Sequence, residues 1–176
     1  MRNTLQHKHT LYNQMIKIIT SLLLTTLFTC AQLKHTNPSV QNGITKLVYQ
    51  YDDASVPPEY HRSYSITIES SQIHVVVDSY GDVLKDTVYP FDAKQFKNLA
   101  EVYQEAKLHY CETIRESDGC TGGNGEQIHS YSKESKLFSA SVYHCGGSDY
   151  GNLCGNYESV KVKVHELVPN LKDILE

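Results

Sequence analysis

The stretch Tyr64-Ser65-Ile66-Thr67-Ile68-Glu69 alternates apolar and polar residues without a break. Successive side chains of a β-strand point to opposite faces, so the pattern predicts a strand with one face in a core and the other toward solvent. A second run of this kind, residues 73–77, follows after only three residues, as in a β-hairpin. Two half-buried strands joined this closely favour an antiparallel sheet.

Further strands are predicted on both sides of this hairpin. Residues 44–51 are rich in β-forming side chains, and residues 83–89 follow a turn at Tyr80-Gly81-Asp82. Together these four strands predict an antiparallel meander. Residues 128–132 and 136–143 predict another hairpin, and its lower hydrophobicity favours a position at the edge of the sheet.

Two segments predict helices. Asp92 is placed to cap a helix, and an apolar stripe that includes Phe96, Leu99 and Tyr103 follows it. Near the end of the chain, residues 160–164 alternate as a strand would, but Asn156 as a cap and the length of the run favour a helix, with a second short turn after Pro169. The predicted order is β4-α-β2-α, an α+β domain whose helices cover one face of an antiparallel sheet.

The N-terminal segment has the pattern of an export signal. Lys17 precedes an apolar run of 11 residues, 18–28, and small residues follow it. A membrane-spanning helix needs about 20 apolar residues, so this run is too short to be one. Exported proteins fold in an oxidising compartment, and the later cysteines are therefore expected to form disulfides.

The residues Leu27-Phe28-Thr29-Cys30 resemble the lipobox of bacterial lipoproteins, in which a leucine lies three positions before a cysteine that becomes lipidated. Thr29 departs from the usual Gly, Ala or Ser. The resemblance implies a lipid anchor on Cys30 and a place in the periplasm or at the outer membrane, with the membrane as a partner. Acyl chains of this kind, two or more, hold a protein stably on a bilayer. The alternative is cleavage after Ala31, which releases a soluble secreted protein.

These features divide the chain into an export signal at residues 1–30, a polar tether at 31–42 and a single α+β domain at 43–176. The signal could begin at Met15. Residues 1–30 contain three of the sixteen lysines and arginines and no acid. Residues 31–176 therefore carry thirteen basic and twenty acidic residues, for a net charge of −7. An acidic domain lacks the basic surface that nucleic acid requires, so we expect no nucleic-acid partner.

Four cysteines remain after the signal, an even number that can pair completely. We prefer the nested pairing, Cys120 with Cys145 and Cys111 with Cys154, because an antiparallel ribbon joins positions whose numbers share a sum. The alternative pairs sequence neighbours, Cys111 with Cys120 and Cys145 with Cys154. Eight of the ten glycines lie between residues 119 and 155, close to these cysteines.

No motif indicates a catalytic residue, a metal site or a cofactor. Cys145 and its neighbour His144 would point to opposite faces of a strand, so they cannot form a nucleophile and base. Glu105 and His109 lie four residues apart on the predicted first helix, but a zinc site needs three or four ligands. The carboxylates of Asp52-Asp53 lie beside a predicted turn, where solvated polar residues are expected.

The sequence therefore favours an envelope lipoprotein with a non-enzymatic binding or structural role, for a protein or small-molecule ligand that it does not specify. The alternative is a small envelope hydrolase whose site lies near the glycine-rich loops 119–125 and 145–151. Tyrosines in loops or at element ends are the expected contacts for a partner; these are Tyr60, Tyr80, Tyr150 and Tyr157.

Overall fold

The computed structural model describes residues 43–115 and 119–176, which belong to one compact unit. The predicted export signal, Cys30 and the tether at 31–42 lie outside the described residues. The elements in chain order are β1 Lys46–Asp52, β2 Ser63–Glu69, β3 Gln72–Ser79, β4 Asp82–Pro90, α1 Ala93–Glu105, β5 His109–Arg115, β6 Asn124–Ser132, β7 Ser135–Cys145, β8 Ser148–Cys154, α2 Tyr157–Leu167 and α3 Leu171–Leu175.

The eight strands form one antiparallel sheet in the order β4-β3-β2-β1-β6-β7-β8-β5. The four-strand meander β1–β4 is confirmed, and β1 also pairs with β6 along its whole length. The predicted order β4-α-β2-α is incomplete, because β5 and β8 are additional strands and a third helix ends the chain. Strand β8 contains Gly151 and Asn152, which depress β-propensity.

The prediction that β6 and β7 form an edge hairpin is wrong, because β1 and β8 flank them in the sheet. Strand β6 directs two polar side chains, Glu126 and Ser130, into the buried layer. Glu126 accepts a hydrogen bond from the Tyr49 hydroxyl, and Ser130 contacts the Tyr103 hydroxyl at 2.8 Å. Buried polar groups persist where they are hydrogen-bonded, so low hydrophobicity here reflects these partners rather than an exposed edge.

One face of the sheet carries the core. Buried residues alternate along β1, β2, β3, β6 and β7, and the buried side chains of α1 and α2 belong to the same cluster. Asp92 caps α1 by accepting from the amides of Lys94 and Gln95, and Asn156 caps α2, so both predicted helix starts are confirmed. The helices therefore cover this core face and leave the other face of the sheet, here called the open face, accessible. No helix in the described ranges is long and apolar enough to cross a bilayer.

The two disulfides have the nested pairing, Cys111 with Cys154 and Cys120 with Cys145, as predicted. The argument from an antiparallel β6–β7 ribbon, however, explains only one of the two disulfides. Cys120 and Cys145 lie at the open end of the β6–β7 hairpin, next to the pair Asn124 and His144. Cys111 and Cys154 instead join β5 to β8, two neighbouring strands that the sequence pattern did not predict.

Candidate functional site

One row of paired residues crosses four strands on the open face. Asp52 of β1 is paired with Gly125 of β6, which is paired with Tyr143 of β7, which is paired with Tyr150 of β8. Paired residues on neighbouring antiparallel strands project to the same side of a sheet. The row therefore places a carboxylate at one end and two phenol rings at the other, with a glycine between them.

Gly125 leaves a gap in this row, because it is the one member without a side chain. A Cβ atom built on it would lie 3.3 Å from Asp52 Oδ2, closer than ordinary van der Waals contact. The gap belongs to a groove of about 460 Å³, which is in the size range of small-molecule sites. The groove is lined by Asp52, Asp53, Ser55, Gly123, Gly125, Gln127, Ser141, Val142, Tyr143, Tyr150 and Gly151.

Hydrogen bonds from two glutamines fix the carboxylate of Asp52. Gln50 Nε2 donates to Oδ1 and Gln127 Nε2 donates to Oδ2, each at 2.8 Å. Asp53 instead holds the following loop, since its carboxylate accepts from the backbone amides of Ala54 and Arg62. The expectation of two solvated turn carboxylates is therefore wrong: both are partly buried, and Asp52 is the last residue of a strand.

Close backbone packing holds the opposite wall. The Gly123 amide donates to the Tyr143 hydroxyl at 3.0 Å, and a side chain at Gly123 would overlap the His144 carbonyl oxygen. The disulfide between Cys120 and Cys145 joins the two segments that carry these residues. The two glycine-rich loops singled out in the sequence thus meet at this groove, because Gly123 and Gly125 from one and Gly151 from the other line it.

A second polar cluster lies on the core face, centred on the buried carboxylate of Glu126. Tyr49 donates its hydroxyl to Oε2 at 2.9 Å, and Lys161 Nζ lies 3.1 Å from Oε1. His144 Nε2 lies 3.3 Å from the same oxygen, while its Nδ1 contacts Asp149 at 2.7 Å. Both ring nitrogens of His144 therefore face carboxylates, which leaves neither one placed to accept a proton from a nucleophile.

The pKa values in this cluster shift as burial and charge require. Burial, followed by the electrostatic effects of the neighbouring Tyr64 hydroxyl and the Glu126 carboxylate, raises the pKa of the Tyr49 hydroxyl far above its ordinary value. Burial works against the charge on Lys161, but its contacts with Glu158 and Glu126 outweigh that effect and raise its pKa above 10.5. Lys161 therefore stays cationic opposite Glu126, and the cluster acts as a charged link between β6 and α2.

His165 extends this layer as a neutral group. Its Nε2 lies 3.0 Å from the Tyr64 hydroxyl, and its ring meets Tyr49 edge-on with centroids 5.2 Å apart. Burial and then the charge on Lys161 lower the pKa of this imidazole below 6.5. Packing against two tyrosines, together with the nearby charge of Lys161, thus favours the uncharged ring.

Other residues singled out in the sequence lie apart from the groove. Glu105 is the last residue of α1 and His109 is the first of β5, so they do not share a helix face as expected. Tyr60 and Tyr80 are exposed; Tyr80 stacks on the buried His61 and donates its hydroxyl to the Val56 carbonyl. Across residues 43–115 and 119–176, no group of three or more His, Cys, Asp or Glu side chains is placed to hold a metal ion.

Neither Gln127 nor Tyr143 was predicted as a groove residue, and Glu126 was not predicted as a buried charge. The sequence pattern that could have identified the β6 residues is their alternation: Gly125, Gln127 and His129 lie on one face of the strand and Glu126 lies on the other. Which face is open depends on the helices and on the pairing with β1.

Comparison with protein-family models, with curated proteins and with solved structures finds no match to this chain.

Proposed function

We propose that this protein is a lipid-anchored, non-enzymatic binding module of the bacterial envelope that takes a small polar ligand into the groove on its open face. The row Asp52, Gly125, Tyr143 and Tyr150 carries the proposal. It combines an oriented carboxylate, a gap of one side chain and two aromatic rings. Ligand sites commonly pair a few placed polar groups with aromatic walls in this way.

The proposed address is supported by two independent features. Disulfides persist in oxidising compartments, and the described residues contain two of them. The residues that resemble a lipobox end at Cys30, and the described domain begins at Gly43. Strand β1 starts near Gly43 and reaches the groove only at Asp52, about 20 Å further at the usual rise per residue. The groove is thus at the end of β1 that is remote from Gly43.

Groove chemistry favours binding over the hydrolase alternative. A serine or cysteine hydrolase needs a nucleophile within hydrogen-bond reach of a base. Among the described lining residues the reactive groups are carboxylates, an amide, hydroxyls and phenols, without a histidine. His144, the histidine nearest the glycine loops in sequence, projects toward Glu126 on the core face. The cysteines beside the groove are bonded to each other.

Ligand mapping by NMR tests the groove. The purified chain, titrated with a library of sugars, amines and short peptides, should show amide shift changes concentrated on residues 52, 125, 127, 141 and 143. Gly125→Ala should remove them, because its methyl group fills the gap and presses on Asp52. Ser65→Ala, on the open face of neighbouring β2, is the control and should behave as wild type. Shift changes that lie elsewhere, or that survive Gly125→Ala, would reject the groove.

Cell fractionation tests the anchor separately. Cys30→Ser removes the sulfur that the lipid would occupy, so the variant should leave the membrane fraction while the wild-type chain stays in it. Membrane association that is unchanged by Cys30→Ser would eliminate the lipoprotein proposal and would leave the groove untouched.

A further inference from the structure

The groove carries an uncompensated negative charge. Asp52 and Asp53 contribute two carboxylates, and none of the described lining residues is Lys, Arg or His. Glu126 and Glu166, by contrast, each have a lysine partner: Glu126 faces Lys161 and Glu166 faces Lys163, both at 3.1 Å. The described hydrogen bonds to the carboxylates of Asp52 and Asp53 come instead from neutral donors.

The carboxylate of Asp52 is held in place before any ligand arrives. The amides of Gln50 and Gln127 each donate to a different oxygen, so the group cannot rotate freely. Neutral donors orient a carboxylate but leave its full charge in place. A carboxylate oxygen has lone pairs beyond the one that each glutamine uses, so Asp52 can accept a further donor on its groove side.

Two tyrosines line the same groove as this charge, and the Tyr143 ring lies against Gly123. Tyr143 lies two strands from Asp52, or about 10 Å at the usual strand spacing, with Gly125 between them. Tyr150 is the next residue in the row. A cation in the gap would meet a carboxylate on one side and an aromatic ring on the other, and both attract positive charge.

We propose that the groove binds a small organic ligand through a positively charged amine or guanidinium group, seated over Gly125 between Asp52 and Tyr143. This inference rests on the proposed binding function and adds the ligand class to it. An organic cation fits better than a metal ion, because metal sites need several ligands and no group of three or more His, Cys, Asp or Glu side chains in residues 43–115 and 119–176 is placed to hold one.

A matched pair of probes tests the charge requirement. The first is the glucosamine disaccharide, titrated at mildly acidic pH where its amines are protonated; the second is its neutral di-N-acetyl form, which has the same sugar backbone. Calorimetric or NMR titration of the full chain should give a Kd at least tenfold lower for the cationic probe. The neutral probe lacks the cationic donor, so it forms no charge-assisted hydrogen bond with Asp52. The loss of one such bond corresponds to a difference in Kd of about ten- to a hundredfold.

Asp52→Asn should remove this preference, because it keeps the shape of the side chain and deletes its charge. Asp86→Asn is the matched control: it deletes one carboxylate on β4, three strands from β1, and should keep the preference. If Asp52→Asn does not fold, Ser141→Lys places a cation on an exposed position of the groove wall and should abolish binding of the charged probe.

The outcomes separate this inference from the binding function on which it rests. Equal binding of the two probes at the groove, or a preference that survives Asp52→Asn, overturns the cationic ligand class and leaves the groove as a binding site. No measurable binding of the charged probe at millimolar concentrations also overturns the ligand class. The library mapping with Gly125→Ala then decides whether the groove binds any ligand at all.

Discussion

The contact between Lys161 and the buried Glu126 should make a large contribution to stability, and Lys161→Met measures it. The Glu126 side chain is only 6% exposed and that of Lys161 is 22% exposed. Removing one partner of a buried ion pair costs about 3–5 kcal/mol, because the other charge stays buried. Here Tyr49 and His144 remain in contact with Glu126, and Lys161 is partly solvated. We therefore expect the free energy of unfolding to fall by about 2–3 kcal/mol.

Lys163→Met is the matched control on the same helix. Lys163 contacts Glu166 at 3.1 Å, the same separation as between Lys161 and Glu126, but the Glu166 side chain is 58% exposed. Exposed pairs of this kind contribute less than about 0.5 kcal/mol. Lysine and methionine have similar helix propensity, so the two variants differ in the burial of the partner and in the second contact of Lys161, with the exposed Glu158 at 2.6 Å. An exposed contact of that kind adds less than about 1 kcal/mol.

Urea unfolding followed by circular dichroism at neutral pH provides the assay. Lys161→Met should lower the transition midpoint by about 1 M or more, while Lys163→Met should leave it nearly unchanged. The advantage of wild type over Lys161→Met should also shrink in strong alkali. The pKa of Lys161 is raised in the folded state, so the stability that the charge contributes is complete below 10.5 and is lost as pH rises through the folded value. Equal losses in the two variants would refute the role assigned to the burial of Glu126.

Three further predictions concern the core, the backbone and pH. Leu99→Ala should lower the free energy of unfolding by about 2–4 kcal/mol in chemical denaturation, because Leu99 is fully buried. Val162→Ala, at an exposed site of α2, should lower it by less than about 1 kcal/mol, and similar losses in the two variants would contradict the assigned core. Gly81 and Gly151 both have positive φ, but a Cβ at Gly151 would overlap the Ser141 carbonyl, whereas a Cβ at Gly81 would meet open space. Thermal unfolding should therefore show Gly151→Ala to be clearly less stable than Gly81→Ala, and the reverse order would refute the close approach of β7 and β8. Burial, with a nearby lysine in each case, lowers the pKa values of His129 and His165 below 6.5. As the pH drops, these histidines are protonated in the unfolded chain before they are protonated in the folded one, so the urea midpoint should fall from pH 6.5 down through the pKa values of the folded state. An identical fall in His165→Gln would show that His165 does not contribute to this pH dependence.

Local pattern was sufficient to predict the first half of the fold. Strands β2 and β3 alternate cleanly because one face is buried under the helices and the other is accessible. Asp92 and Asn156 predicted the starts of α1 and α2, since capping depends on residues next to each other in the chain. These features need no knowledge of distant partners.

The second half depends on distant pairing, which local pattern does not reveal. Strand β6 lies in the middle of the sheet because Tyr49, Tyr103 and Lys161 satisfy its buried polar groups, and these partners come from three other elements. Strands β5 and β8 pair with each other at the edge and are joined by a disulfide. The preferred cysteine pairing was correct although β8 was not predicted.

The groove was predictable only in outline. The clustering of glycines beside the cysteines indicated a shared site for the two loops, and Gly123, Gly125 and Gly151 do line one groove. The row that gives the groove its chemistry depends on three successive strand registers, from Asp52 to Tyr150. A one-residue slip in any of them would turn those side chains to the other face.

The groove and the proposed envelope address both depend on the oxidation of the four late cysteines. Intact and peptide mass spectrometry of the protein recovered from its own cells, alkylated before any reduction, tests this directly. We expect no alkylated thiol among these cysteines and two crosslinked peptide pairs, Cys111 with Cys154 and Cys120 with Cys145. Alkylation at any of the four positions, or a crosslink between Cys111 and Cys120, would contradict it.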